Sequence, residues 1–323
     1  MTPLVEGIQA AVITVSDFEP SLRVYRDALG WEVVAEGDLT AVDSSRLWGV
    51  EAACRIVALS PLSVETGRIH LVRFDGLSPA SLGQPQSDGY GLFAIDMYVR
   101  DLEEARRRCE AAGARWAGGP ATWHIGDDLN RVTVRQGFLH LPDDVNLTFV
   151  MPGRPRPTAV WARDPDALCT ELTSVVVCVP DVERSKVFWG ADGLGLVEQY
   201  DAEFAQPEMA RMVGLPDDFA QRMAFLIGDG TARLELTGRP RQHSDAAWRS
   251  LDLAARQRPG RSLGQCAWVV VVDRFDEAIS VAQARGGQLL SGPFTIDNPV
   301  YAGRSVAIVE TPERTLLEIW SAR

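Results

Sequence analysis

Cysteine is sparse and unpatterned in this chain of 323 residues. Its five cysteines (Cys54, Cys109, Cys169, Cys178, Cys266) are odd in number and contain no Cys-x-x-Cys pair. That argues for reduced thiols and against a disulfide framework or a zinc knuckle. Long apolar runs are missing too: the longest, Ala267 to Val272, is far short of the about 20 residues that span a bilayer. Met1 to Glu6 shows no basic start followed by an apolar run, so no signal peptide is expected. Basic residues are the minority, 32 Lys and Arg against 44 Asp and Glu, for a net charge of −12. Nucleic acid and anionic membranes both need a basic face, so neither is expected as a partner. No Gly-x-Gly-x-x-Gly follows a strand, and there is no phosphate-binding loop and no Gly-x-Ser-x-Gly. Gly228-Asp229-Gly230 reads as a hairpin turn. The expectation is a cytoplasmic protein, monomer or homodimer, whose partner is a small molecule.

What is present is repetition. The strand pattern Gly67-Arg68-Ile69-His70-Leu71-Val72 returns as Thr231-Ala232-Arg233-Leu234-Glu235-Leu236, with Glu235 lying 165 residues beyond His70 (235 − 70). Val15-x-Asp17-x-Glu19-x-Ser21 returns as Val179-x-Asp181-x-Glu183-x-Ser185, shifted by 164 (179 − 15). Leu29-Gly30 returns as Leu194-Gly195, and Arg46-Leu47-Trp48-Gly49 as Arg211-Met212-Val213-Gly214. A second register, shifted by 173 (272 − 99), links Val99, Ala105, Gly113 and Gly119-Pro120 to Val272, Ala278, Gly286 and Gly292-Pro293. Turn glycines, helix-start acids and apolar positions matching over whole modules imply an internal duplication. Each module reads as strand, helix, then three strands, and the stretch around Arg46–Val50 reads as a connection. Modules fall at 7–75, 91–152, 170–238 and 264–321. The domains expected from this are 1–152 and 169–323, with the Pro/Gly/Arg-rich segment 153–168 as linker.

Four such βαβββ modules, each opening with an apolar strand, a Val-x-Asp step and a short helix, resemble the vicinal oxygen chelate superfamily. Val15-Ser16-Asp17-Phe18-Glu19-Pro20-Ser21 with Tyr25 and Leu29-Gly30-Trp31 carries the likeness, as does Val179-Pro180-Asp181-Val182-Glu183-Arg184-Ser185 with Trp189 and Leu194-Gly195. Glyoxalase I, the bleomycin-resistance proteins and the extradiol dioxygenases belong to that group. The resemblance implies an α+β protein with two domains of curved, U-shaped mixed sheets. It also implies a divalent metal held by a first-strand and a last-strand side chain from each of two paired modules. Projected onto this chain, the first-strand positions are Ala10, Ala94, Ser174 and Ala267, and the last-strand positions are His70, Thr148, Glu235 and Glu318. Alanine has no lone pair to offer and the usual imidazoles are missing. The expectation is therefore no metal ligands and no cofactor, with a divalent metal on unconventional ligands as the alternative.

Glu235, Glu318 and His70 are then the catalytic candidates. If modules three and four pair, both glutamates share one cavity, where mutual repulsion would raise one pKa and suit proton transfer at carbon. An oxyanion donor would come from Ser174, Arg233 or Tyr301. If modules one and four pair instead, His70 meets Glu318 and Thr148 meets Glu235. Substrate-binding candidates are Ser174, Thr148, Trp48, Trp123, His124 and Tyr301, with His124 lining a cavity near His70 or lying on an exposed turn. Trp116 is a further cavity candidate. His140 reads as a solvated strand end, His243 as surface, and Trp31, Trp189, Trp268 and Trp320 as core. The function read from these residues is a metal-independent lyase or isomerase acting on an apolar, possibly aromatic small molecule. Two alternatives stand beside it: a sequestration protein of the bleomycin-resistance kind, and a metal-dependent dioxygenase or glyoxalase-like enzyme.

Overall fold

The computed structural model describes residues 3–126, 131–154, 156–228, 230, 233–240 and 253–323. His243, Asp229 of the expected hairpin, and Thr231-Ala232 lie outside the described residues. Module one runs β1 (Val5–Thr14), α1 (Phe18–Leu22, continued by a π-helical turn at Arg23–Ala28), β2 (Glu32–Leu39), α2 (Ala41–Trp48), β3 (Cys54–Ser60) and β4 (Arg68–Phe74). Module two is β5 (Gly91–Val99), α3 (Leu102–Ala111), β6 (Arg115–Ile125), β7 (Val132–Leu141) and β8 (Val145–Pro152). A short α4 (Ala159–Arg163) follows, then β9 (Cys169–Val179), α5 (Val182–Trp189), β10 (Val197–Phe204), α6 (Pro207–Met212), β11 (Gln221–Ile227) and β12 (Arg233–Gly238) make module three. Module four is β13 (Gly264–Val272), α7 (Phe275–Ala284), β14 (Gln288–Thr295), β15 (Ser305–Glu310) and β16 (Leu316–Ser321).

The Val-x-Asp step has a local cause. Asp17, Asp101 and Asp181 are N-caps whose carboxylates accept from backbone N–H groups of the first turn, satisfying donors that a helix start leaves free. Module four starts its helix at Arg274 without a side-chain cap.

The strands form two mixed sheets of eight, ordered β14-β15-β16-β13-β1-β4-β3-β2 and β10-β11-β12-β9-β5-β8-β7-β6. The fold is α+β, as expected, but neither sheet is confined to one half of the chain. Module one joins module four through the antiparallel pair β1–β13, and module two joins module three through β5–β9. Of the two pairings left open by the sequence, this is one with four and two with three, so the stretches 1–152 and 169–323 each contribute to both sheets. The physical reason lies in the first strands. β9 and β13 are buried along their whole length and β1 along most of it, so each needs a partner on both edges and a layer on each side.

Alternation then sorts the side chains. Ala11, Ile13, Ile69, Leu71, Leu317 and Ile319 of one sheet, with Ile95, Val175, Leu234 and Leu236 of the other, enter one core that the convex faces share with the helices. The two sheets touch back to back: Leu172 N–H donates to Gly67 O at 2.9 Å. Gly67 has φ +65°, and a Cβ there would lie 2.5 Å from Leu172 O, so only glycine fits. The concave faces remain as two cups on opposite sides, one lined by Val12, Val72, Val269 and Trp320, the other by Tyr98, Val150, Val176 and Phe225.

The connection around Arg46–Val50 is a helix. Thr40 and Asp43 form a reciprocal capping box, and Ser44 and Leu47 turn inward. Its counterpart α6 starts at a proline and buries Met209 and Met212. Both helices leave their own module to cover the cup: α2 reaches β14 and β15, and α6 reaches β6.

Residues 1–156 and 157–323 expressed apart would each expose the inner edges of both sheets. Neither half is expected to unfold cooperatively in urea followed by circular dichroism. Mixing them should restore a single transition; two separate cooperative transitions would show that each half folds alone.

Candidate functional site

In the cup of modules two and three, one row of facing residues crosses four strands. Arg233 pairs with Ser174, Ser174 with Asp96, and Asp96 with Thr148. Glu235 stands two residues along β12, opposite Val176, which in turn faces Ala94. All of these are buried. The Arg233 Nε–H donates to Ser174 Oγ at 2.8 Å, and its guanidinium lies 4.2 Å from the Phe225 ring centroid, a cation–π contact suited to a desolvated arginine. Asp96 Oδ1 has no hydrogen-bond partner among the described residues.

Two acids and one cation are costly to bury unless a proton balances them. Burial pushes the Asp96 carboxyl up to about 6, against the pull of Arg233 and of the Thr148 and Ser174 hydroxyls. Burial also pushes Glu235 up to about 8, with the Asp96 charge adding to it and Arg233 opposing. Both carboxyls are held above the usual carboxylate range, so the pair keeps a proton to higher pH than two exposed acids would. Both line two adjoining cavities of about 20 and about 30 Å³, each with room for about one water. Trp123, Phe225, Phe138, Met209 and Met212 form their apolar walls. Gln136 lines both cavities, and its Oε1 accepts from Trp123 Nε1 at 2.6 Å.

The cup of modules one and four is arranged differently. Glu318 Oε1 accepts from Trp48 Nε1 at 2.9 Å and Oε2 from Trp320 Nε1 at 3.0 Å. Burial raises Glu318 to about 7, opposed by the two indoles and Tyr301. The Trp320 ring stacks on His70, with centroids 5.5 Å apart, and packs on Tyr301 at 4.8 Å. Burial, aided by Arg68, drops His70 to about 3, so it is neutral at ordinary pH, and its Nδ1 has no partner among the described residues. Both oxygens of Glu318 are occupied by its own walls. Those of Glu235 face cavity.

Glu235 and Glu318, expected in one cavity, therefore stand in separate cups, because each sheet joins an inner or an outer pair of modules. Ser174 and Thr148 join Glu235, while His70, Trp48 and Tyr301 join Glu318. Trp123 lines the Glu235 cup. His124 points to the other face of β6, half-buried, with Nδ1 3.2 Å from Thr133 Oγ1; it lies in the sheet that does not contain His70. Trp116 stacks under Arg106 and donates to Gly119 O. His140 is half-buried rather than solvated, with Nδ1 2.9 Å from Asn146 Oδ1. Trp31, Trp189 and Trp268 are core, whereas Trp320 is buried on the concave side as a donor to Glu318. Asp96 escaped the sequence reading, since it falls two residues past the projected position Ala94. The available signal was a lone acid among Leu92, Ile95, Met97 and Val99.

Residues 7–127 match the Glyoxalase/Bleomycin resistance protein/Dioxygenase superfamily. Glyoxalase I from Zea mays is similar across 98% of this chain and 92% of its own, at 14% identity and a TM-score of 0.63. A candidate dioxygenase from Bacillus subtilis subsp. subtilis str. 168 is similar across 99% of this chain and 86% of its own, at 11% identity and a TM-score of 0.60. No curated protein sequence matches the chain. The family match thus covers the first module and part of the second, and the likeness to the solved structures extends the same fold over the whole chain.

The vicinal oxygen chelate resemblance implies a divalent metal shared by paired modules. With the observed pairing the two donor sets are Ala10, His70, Ala267 and Glu318, and Ala94, Thr148, Ser174 and Glu235. Neither fits. Indole N–H donors already take the Glu318 oxygens, and in the other cup the cationic Arg233 side chain binds the Ser174 oxygen. Among the described residues no three His, Cys, Asp or Glu side chains converge.

A folded-state pKa raised above the unfolded value means the fold holds a proton that the unfolded chain releases. For Glu235 the window runs from 4.5 to about 8, and stability falls as pH rises through it. Glu235→Gln removes the titration. Its melting temperature relative to the parent should climb from about pH 5 to about pH 8, measured by thermal melts across that range. A constant difference would show that Glu235 does not titrate in this window.

Proposed function

We propose that this protein is a lyase or isomerase that moves a proton at carbon in the cup of modules two and three, without a metal, on an apolar, aromatic-sized small molecule. The observation that carries the reading is the buried Asp96–Glu235 pair beside Arg233, opening on aromatic cavities. Two carboxyls whose pKa values are held apart supply a base and an acid at the same pH. Ionised Asp96 would take the proton from a carbon next to a carbonyl. Arg233 would hold the oxyanion that forms, positioned by Ser174 and Phe225. Protonated Glu235 would return a proton to carbon, giving an isomer, or protonate a leaving hydroxyl, giving an alkene and water. In either case the proton taken and the proton given balance. The present cavities are too small for such a substrate. It would enter by displacing Met209 and Met212 of α6, which two polar links hold: Glu208 accepts from Thr122 N–H, and Gln206 bonds the His124 backbone.

Aromatic carbonyl compounds incubated with the protein in D2O should gain deuterium at the carbon next to the carbonyl, followed by NMR. Glu235→Gln and Asp96→Asn should each lower kcat/KM by about 100-fold or more. Glu318→Gln should stay within about threefold, and treatment with a chelator should change nothing. The pH profile should be bell-shaped, rising through about 6 as Asp96 ionises and falling through about 8 as Glu235 loses its proton. Unchanged turnover in Glu235→Gln would remove the proposal. The aromatic and methionine lining also suits a second reading, sequestration of an apolar compound, for which ligand would bind and be recovered unaltered.

A further inference from the structure

Against the Leu47, Ile308 and Leu316 wall of the cup of modules one and four lies another cavity, of about 250 Å³, lined also by β14 and by the segment that enters β13. It is lined by Arg46, Arg258 and Arg261 and by no acidic residue, in a chain where acids outnumber bases 44 to 32. Arg258 is committed to Glu310. Arg46 and Arg261 are exposed at the rim, and among the described residues neither has an ion-pair partner. With Arg258 balanced by Glu310, the other two guanidiniums lining one concavity favour an anion there. Ser291 lines the same space, and its buried Oγ has no hydrogen-bond partner among the described residues. Most of the remaining lining is apolar: Trp48, Leu47, Ile308, Leu316 and Leu290, the last 47% exposed.

We infer that this cavity binds a small aromatic anion, an aryl carboxylate or an aryl phosphate. The acidic group would sit on Arg46, Arg261 and Ser291, and the ring would lie against Trp48 and Leu290. The volume matches. At about 30 Å³ per water, the space equals about eight waters, enough for one ring and its acidic group. Exposed aliphatic residues alone would not choose an anion, and arginines alone would not choose a ring; the two line one cavity. Trp48 also donates to Glu318, so an occupant touches the wall of that buried cup without reaching its carboxylate. The inference is independent of the chemistry assigned to Glu235, which lies in the other sheet.

Calorimetric titration of the full chain with benzoate, phenyl phosphate, inorganic phosphate and benzyl alcohol tests it. Benzoate or phenyl phosphate should bind at one site, and the preference between them tells carboxylate from phosphate. Benzyl alcohol and inorganic phosphate should each bind about tenfold more weakly or worse. Arg46→Ala with Arg261→Ala should weaken the aryl anion about tenfold or more, and Glu235→Gln should bind as the parent does. Thermal melts check that the double variant folds; if it does not, Arg261→Gln alone is read the same way. No aryl anion bound by about 10 mM, equal binding by the arginine variant, or loss in Glu235→Gln would each overturn the site. Inorganic phosphate binding as tightly as phenyl phosphate would overturn its aromatic half.

Discussion

Everything in this molecule depends on two antiparallel strand pairs, β1 with β13 and β5 with β9. Each joins the first strands of two modules and so turns two four-stranded pieces into one curved sheet of eight. Because the first and last modules meet, and the middle two meet, the chain closes on itself: both halves are needed for both sheets. The convex faces then share a single core, where apolar burial stabilises at about 25 cal/mol per Å². Neither sheet could keep that face in water. Gly67 marks how close the approach is, since a Cβ there would meet Leu172 backbone.

Pairing also decides the chemistry. A module by itself carries half a site, and its partner supplies the rest. In one cup the partner of Glu318 is a wall of indoles and a neutral histidine, and the carboxyl is satisfied by Trp48 and Trp320. In the other, the partner of Glu235 is Asp96 with Arg233, a set that burial leaves one proton short of full ionisation. Duplication therefore produced two cups of one shape and opposite electrostatic character. Replacing N–H donors by a second acid and a cation changes a filled, inert carboxyl into one with cavity before it.

The insert helices α2 and α6 show how a repeat diverges without losing its fold. Both cross from their own module to the partner's strands. Trp48 on α2 fills and donates to a carboxylate, while on α6 Met212 fills and Met209 accepts only a thioether hydrogen bond from Gln221. Methionine is a flexible packer and tryptophan a rigid one, so the α6 side yields more readily to a ligand. The rigid side instead leaves its free space away from its carboxylate, against Trp48 and the arginines.

Much of the fold was legible in the sequence. Period-two strands, the helix-capping aspartates at 17, 101 and 181, and the repeated turn glycines act within a few residues, so their signal is local. β4 falls at Arg68–Phe74, where the pattern put it. The likeness to a known family was also readable, because its Val-x-Asp helix starts and turn glycines lie close together in the chain. Which modules pair was not, since any first strand can in principle bond to any other. Only the packed molecule chooses, by satisfying both edges of β1, β5, β9 and β13 at once. That choice separated Glu235 from Glu318, brought Asp96 to Glu235, and set Trp320 over His70. A side chain's type belongs to the sequence, whereas its protonation, its partner and the space before it belong to the neighbours that tertiary structure supplies.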